Sequence, residues 1–183
     1  MATYKVGGLL VGGAYNKRND DLGNDSLEST VLGASFDIGP GTVSGMVVKY
    51  KDDSFLGSQR IAISTNPALG ALAAPIANAL DNGLKQDGQL VHIGYRMTTG
   101  PNTFYVAYTS ANDKRPSNAD VVSYGAAYTY SLSKRTDLNA VLTHFNNKNL
   151  AQQAPGQAGF NGGFTKSAGT DANSLAFGIR HRF

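Results

Sequence analysis

The sequence predicts an all-β fold, an antiparallel transmembrane barrel sheet of about eight strands joined by hairpins. Three observations carry this. Apolar residues recur at every second position, not at the 3.6-residue period of a helix. The connections alternate short and long along the whole chain. No run reaches the roughly 18 apolar residues of a membrane-spanning helix, and mean hydropathy is −0.24. A soluble β-sandwich has no need of alternating connections. A barrel of the bacterial outer membrane does, with short periplasmic turns and long extracellular loops.

Composition narrows the alternatives. The 183 residues suit one domain, residues 1–183, and no Pro/Gly/Ser linker divides them. The 22 glycines follow no Gly-X-Y period, and 16% charge with 41% hydrophobic residues is a poor composition for disorder. Without cysteine there is no disulfide scaffold, thiolate zinc site or cysteine nucleophile. A net charge of +3, with basic residues scattered, makes no nucleic-acid stripe. Met1 leads directly into strand-like Ala2-Thr3-Tyr4-Lys5, so no signal peptide is expected in this stretch.

The elements follow in order. Segment 4–15 reads as one strand in which two Gly-Gly pairs mark a bulge and a switch of face. Segment 31–38 sets Leu32, Ala34, Phe36 and Ile38 on one side. In 42–50, placing Lys49 on the polar face puts Met46, Val48 and Tyr50 on the apolar one. The alternation returns at 90–97, 103–109, 121–132, 136–145 and 174–183; in the last, Leu175, Phe177, Ile179, His181 and Phe183 oppose Ser174, Ala176, Gly178, Arg180 and Arg182. Tight turns fall at 38–41, 98–102 and 131–136, and long polar connections at 16–27, 51–88, 110–119 and 146–172. The connection 51–88 holds the single helical signal, Asn66 as cap, Pro67 at the first helical position and Pro75 as an interruption. It reads as a small helix folded on or into a barrel mouth.

The tract Tyr124-Gly-Ala-Ala-Tyr128-Thr-Tyr130-Ser-Leu-Ser-Lys-Arg-Thr136-Asp-Leu138, and the terminal Phe177-Gly-Ile-Arg-His-Arg-Phe183, resemble the C-terminal end of Gram-negative general porins of the β-proteobacterial type. Gly94-Tyr95-Arg96, Ser64-Thr65-Asn66-Pro67 and Gly33-Ala34-Ser35 are also similar to that family. The resemblance implies a multi-pass protein of the Gram-negative outer membrane, a homotrimer at full length, in contact with membrane lipid and lipopolysaccharide. It implies passive diffusion of ions and small hydrophilic solutes through a water-filled channel, without cofactor, metal or turnover. A terminal strand ending in Phe183 resembles the signal read by the outer-membrane insertion machinery. Family members have about sixteen strands; eight correspond to the C-terminal half, without the inward-folded constriction loop.

In such a barrel the apolar face meets lipid, because a midplane Arg or Lys costs roughly 2–4 kcal/mol. The expected pore-lining residues are then Lys5, Lys49, His92, Arg96, Asp137, Arg180 and Arg182, with Asp37. Their cationic excess predicts a mild anion preference. The expected aromatic girdle is Phe36, Tyr50, Tyr95, Phe104, Tyr108, Tyr124, Tyr130 and Phe183, although strand propensity alone also enriches these residues. The three histidines lack metal spacing. No phosphate loop, dinucleotide fingerprint or nucleophile elbow is present, so an enzyme is not expected. The competing reading is a closed eight-stranded barrel with a structural or adhesion role and no open pore; a secreted all-β binding domain is a further one.

Overall fold

The computed structural model describes residues 1–156 and 161–183. Nine strands form one antiparallel sheet in the order β1 (Ala2–Val6), β2 (Leu9–Asn19), β3 (Asp25–Ile38), β4 (Gly41–Asp52), β5 (Gln86–Thr99), β6 (Asn102–Asp113), β7 (Val121–Ser131), β8 (Thr136–Asn147) and β11 (Ala172–His181). Every strand pairs with its sequence neighbour among these nine, and the sheet is open: β1 and β11 each have one partner. A closed eight-stranded barrel is therefore not the arrangement adopted. A small hairpin, β9 (Gln153–Pro155) with β10 (Asn161–Phe164), occupies the β8–β11 connection. Residues 157–160 of the expected loop 146–172 lie outside the described residues.

The short turns share one end of the sheet, and their sequences explain them. Gly39-Pro40 and Gly100-Pro101 are two-residue hairpins with φ of +55° and +56° at the glycines. Proline fixes the second position at negative φ, and positive φ followed by negative φ is the pattern of a type II′ turn, whose twist matches that of the strands. Gly7-Gly8 is a third such hairpin, with Val6 opposite Leu9 and Gly7 at φ +53°. This corrects the expected bulge: segment 4–15 is two strands, and the sheet has nine. The second pair, Gly12-Gly13, stays within β2.

At the other end the strands run further than the apolar alternation. The connection expected at 16–27 contracts to residues 20–24, because β2 and β3 stay paired through Lys17 and Glu28. Lys17 there contacts Asp25 at 2.8 Å and Glu28 at 3.5 Å. Likewise the loops contract to 53–85, 114–120 and 148–171.

The 53–85 connection carries two helices, α1 (Ser58–Ser64) and α2 (Ala73–Leu84), with a 3-10 turn at Pro67–Leu72 between them. Asn66 caps that turn as expected, its side chain accepting from the Ala68 amide at 3.0 Å. The break falls at Gly70 (φ 52°) and not at Pro75, which sits in the first turn of α2, where its missing N–H costs nothing. The helices pack on one another through buried Ala73 and Ala77, and Arg60 reaches Asn78 at 2.8 Å.

Loop 20–24 holds the start of this excursion. The Asp20 carboxylate accepts from the Leu22 and Asn24 amides (2.9 and 2.8 Å) and from the Ser54 hydroxyl (2.5 Å); Asp21 accepts from the Ser58 amide (2.8 Å) and hydroxyl. The Ser54 hydroxyl, with the other donors behind it, pushes the Asp20 carboxyl down to about 2. A carboxyl lowered on folding stabilises above its ordinary range and loses that contribution as pH falls through the folded value. Intrinsic-rate-corrected protection of the Leu22 and Asn24 amides is expected to hold from pH 7 to 4 and to collapse toward pH 2. In Asp20→Asn it is expected to be low and flat. Unchanged protection at pH 2 would refute the tether.

Candidate functional site: the two faces of the sheet

Among the described residues the buried apolar set is Ala73, Ala77 and Ala151, none of them in the sheet. The sheet covers neither of its faces, and the register decides what each one carries.

The apolar face can be followed strand to strand. Leu9 opposes Phe36, Phe36 opposes Val43 and Val43 opposes Tyr95. Tyr95 then opposes Val106, Val106 Ala126, Ala126 Leu142 and Leu142 Leu175. Its side chains stand open: Leu32 is 60% exposed, Ile93 53%, Leu142 55% and Phe177 77%. Aromatic rings border it in two rows. Near the loop end, Tyr108 and Tyr124 lie with centroids 5.4 Å apart, Tyr124 stacks on His144 at 6.2 Å, and His144 Nδ1 bonds Asn173 at 2.8 Å. Near the turn end, Phe104 meets Tyr128 at 5.0 Å, the Tyr128 hydroxyl donates to Asn102 at 2.6 Å, and His181 meets Phe183 edge-on at 4.9 Å. Phe36, Tyr95, Phe104, Tyr108, Tyr124 and Tyr130 share this face. Tyr128 belongs with them; its parity with Tyr124 and Tyr130 was the available signal.

The opposite face is richer in small and polar residues, with one apolar row, Val31–Val48–Leu90–Ala111–Val121, toward the loop end. Its rows include Thr98–Thr103–Thr129–Asn139–Gly178 and Thr42–Arg96–Tyr105–Ala127–Val141–Ala176. Lys5, His92, Arg96, Asp137 and Arg180 lie on it, as does Asp37. Asp137 and Arg180 are directly opposite, and Arg180 Nε donates to Asp137 at 2.9 Å while the Ser131 hydroxyl donates at 3.0 Å. Asp37 accepts from the Thr42 hydroxyl at 2.7 Å, and His92 Nδ1 bonds Thr109 at 2.8 Å. Lys5 and Arg96 are exposed and enter no ion pair among the described residues. Arg182 follows the end of β11, its amide donating to the Arg135 carbonyl at 2.9 Å.

Four expected placements are reversed, all in β4. Lys49 opposes Thr30 and Gln89, which puts it on the apolar face with Val43 and Val47. Met46, Val48 and Tyr50 oppose His92, Leu90 and Gly88 on the polar face. Tyr50 lies over Gly88: a Cβ there would meet its hydroxyl at 2.5 Å, so only glycine leaves the ring its place. The assumption that a lysine marks the polar face failed because neither parity of β4 is polar, with Val43 and Val47 on one face and Met46 and Val48 on the other. Tyr105, unremarked in the sequence, also stands on the polar face, its hydroxyl 3.0 Å from where a Cβ of Gly94 would be.

A family model described as Gram-negative porin matches residues 1–150. No curated protein matches. Among solved structures, an anion-selective porin from Comamonas acidovorans superposes with a TM-score of 0.69 at 21% identity, over 99% of this chain and 47% of its own. Outer-membrane expressed OmpT of Vibrio cholerae gives 0.62 at 17%, over 99% and 48%. A porin refined at 1.8 Å gives 0.61 at 16%, over 99% and 49%. The likeness is one of fold, and the chain spans about half the length of these structures. A two-faced antiparallel sheet without a core, matched by one family model over most of its length, places the chain in the Gram-negative porin family, the β-barrel proteins of the bacterial outer membrane.

Proposed function

We propose that this chain is the C-terminal part of a general porin, a wall segment of a water-filled channel through which ions and small hydrophilic solutes diffuse passively. One observation carries the reading: a single sheet is apolar and uncovered on one face, richer in small and polar residues on the other. Hydrocarbon accepts the first face, water the second. Spanning requires a closed barrel, because unpaired backbone groups in lipid cost several kcal/mol each. The free edges of β1 and β11 therefore belong against further strands, in a barrel of about sixteen. The C-terminal placement follows the terminal Phe177–Phe183 pattern, with Phe183 serving insertion, and the homotrimer follows the family resemblance. Diffusion needs no convergent catalytic groups, and the reading is a channel rather than an enzyme.

The lumen wall would carry Lys5, Arg96, Arg180 and Arg182 against Asp37 and Asp137. Arg180 is engaged by Asp137, which leaves Lys5 and Arg96 as the open cations within the strands. This supports a mild anion preference. The test is planar-bilayer conductance with the reversal potential in a salt gradient, on the protein as its host makes it. Steady conductance with an anion-side potential is expected. Arg96→Glu should move that potential toward zero or reverse it, with folding unchanged. A folded protein without conductance would remove the channel reading, and an unmoved potential would remove the role of Arg96.

A further inference from the structure

On the polar face, Arg96 and Tyr105 stand together among small side chains. They are directly opposite in the β5–β6 ladder, a pairing that sets their Cβ atoms about 4.5–5.5 Å apart. The row toward the loop end is Ser35, Ser44, Gly94, Ala107 and Gly125, and the row toward the turn end is Thr98, Thr103 and Thr129. Within their own row, Thr42 and Ala127 flank the pair. Both side chains are therefore open to the water-facing side: Tyr105 is 37% exposed, and Arg96 is exposed as well.

Gly94 fixes the attitude of the ring. A Cβ on that glycine would meet the Tyr105 hydroxyl at 3.0 Å and its Cζ at 3.5 Å, so the tip of the tyrosine lies down on the β5 backbone. The ring thus has one side on the wall and offers the other to solvent. His92 Nε2 closes on the same point at 3.3 Å while its Nδ1 bonds Thr109 at 2.8 Å, so the imidazole borders the ring on its loop-end side. Arg96 enters no ion pair among the described residues. The carboxylate of its row, Asp37, is two strands away, about 10 Å, and accepts from the Thr42 hydroxyl at 2.7 Å.

We infer that Arg96 and Tyr105 form a solute subsite on the channel wall for an aromatic monocarboxylate. Its ring stacks on Tyr105 in an offset contact, and its carboxylate pairs with the guanidinium, which matches it bidentately. A benzoate-type anion holds ring and acid in one plane and meets both partners at once. The strand amides are committed to the ladder, so a single guanidinium answers the charge. A second carboxylate would be turned toward Asp37 and repelled. The inference rests on the channel reading and names a solute class for it.

The test is planar-bilayer recording on the protein as its host makes it, in potassium chloride with benzoate or cyclohexanecarboxylate added. The two acids carry the same charge and similar bulk, and only benzoate has a flat π face. Benzoate is expected to halve the current at a concentration about twofold to tenfold lower. Tyr105→Ala should abolish that ratio and Tyr105→Phe should keep it, because stacking needs the ring and not the hydroxyl. Arg96→Gln should raise both half-inhibition concentrations. Equal block by the two acids in the unaltered protein overturns the subsite, as does a ratio that survives Tyr105→Ala. Half-inhibition concentrations unmoved by Arg96→Gln overturn it too. If the unaltered protein does not conduct, the channel reading falls and this one with it; if it conducts and only the benzoate contrast fails, the channel reading stands.

Discussion

Ala126→Arg should abolish stable insertion, whereas Ala127→Arg should fold and insert normally. The two alanines are adjacent in β7 and differ in one respect, the face they present. Ala126 opposes Val106 and Leu142 on the apolar face; Ala127 opposes Tyr105 and Val141 on the polar one. Both lie midway between Tyr124 and Tyr130, the two aromatic rows on that strand, six residues and about 20 Å of strand apart. An arginine facing lipid at that depth costs about 2–4 kcal/mol, a loss of about 30-fold to several hundred-fold in the folded-to-unfolded ratio. At position 127 the guanidinium enters the watered side. Conductance should fall there and anion preference should rise. Urea titration in phosphatidylcholine vesicles, followed by the gel-mobility difference between heated and unheated protein, reads the first effect, and bilayer recording the second. Equal stability of the two variants would mean that the faces are misassigned.

That contrast is legible in the sequence because β7 alternates without a break. Val122, Tyr124, Ala126, Tyr128 and Tyr130 fall on one parity, Ser123, Gly125, Ala127 and Thr129 on the other. β11 is as plain, and the tight Gly-Pro turns declare themselves through the one hairpin geometry that glycine and proline allow together. β4 was not legible. Val43 and Val47 alternate with Met46 and Val48, so neither parity is polar, and one lysine had to decide. Only pairing with β5, where Lys49 meets Gln89 and Tyr50 meets Gly88, settles its face. A one-residue error in such a strand exchanges every side chain between lipid and water.

The other misreadings have physical causes of the same kind. Strand pairing depends on backbone hydrogen bonds and continues above the bilayer, so Lys17–Glu28 stays paired where hydropathy suggests a loop. Gly7-Gly8 resembled a bulge because two glycines carry no face information; what distinguishes a turn is that residues 2–6 fold back on 9–13. Asn66 and Pro67 announced a helical start correctly. α1 carries no capping residue, since Gly57 precedes it and offers no side-chain oxygen, so it left no comparable mark.

Asp113→Ala should open the β6–β7 loop without unfolding the sheet. Asp113 ends β6, is only 8% exposed, and its carboxylate accepts five hydrogen bonds. Three come from Arg115, through its amide at 3.1 Å, Nε at 2.7 Å and a terminal nitrogen at 3.2 Å. The Ser117 hydroxyl adds one at 2.6 Å and the Ala119 amide one at 3.0 Å. One side chain thus gathers most of loop 114–120, and Arg115 in turn donates to the Lys85 carbonyl at 3.1 Å, tying the end of the helical excursion to the same point. Losing the acceptor removes charge-assisted bonds, each worth roughly 1.5–3 kcal/mol net when buried. The donors lie near solvent and rehydrate as the loop opens, so the loss should be about 2–3 kcal/mol and local. Trypsin reads it directly. Pro116 protects the bond after Arg115, which leaves Lys114 as the cut site in this loop. Cleavage there should be about 30-fold to 150-fold faster in Asp113→Ala than in the unaltered protein when the loop closes faster than it is cut. Asp113→Asn, which keeps one acceptor oxygen, should fall between. Equal cleavage rates in all three proteins would show that the loop is held by its backbone alone, and the carboxylate would lose its organising role.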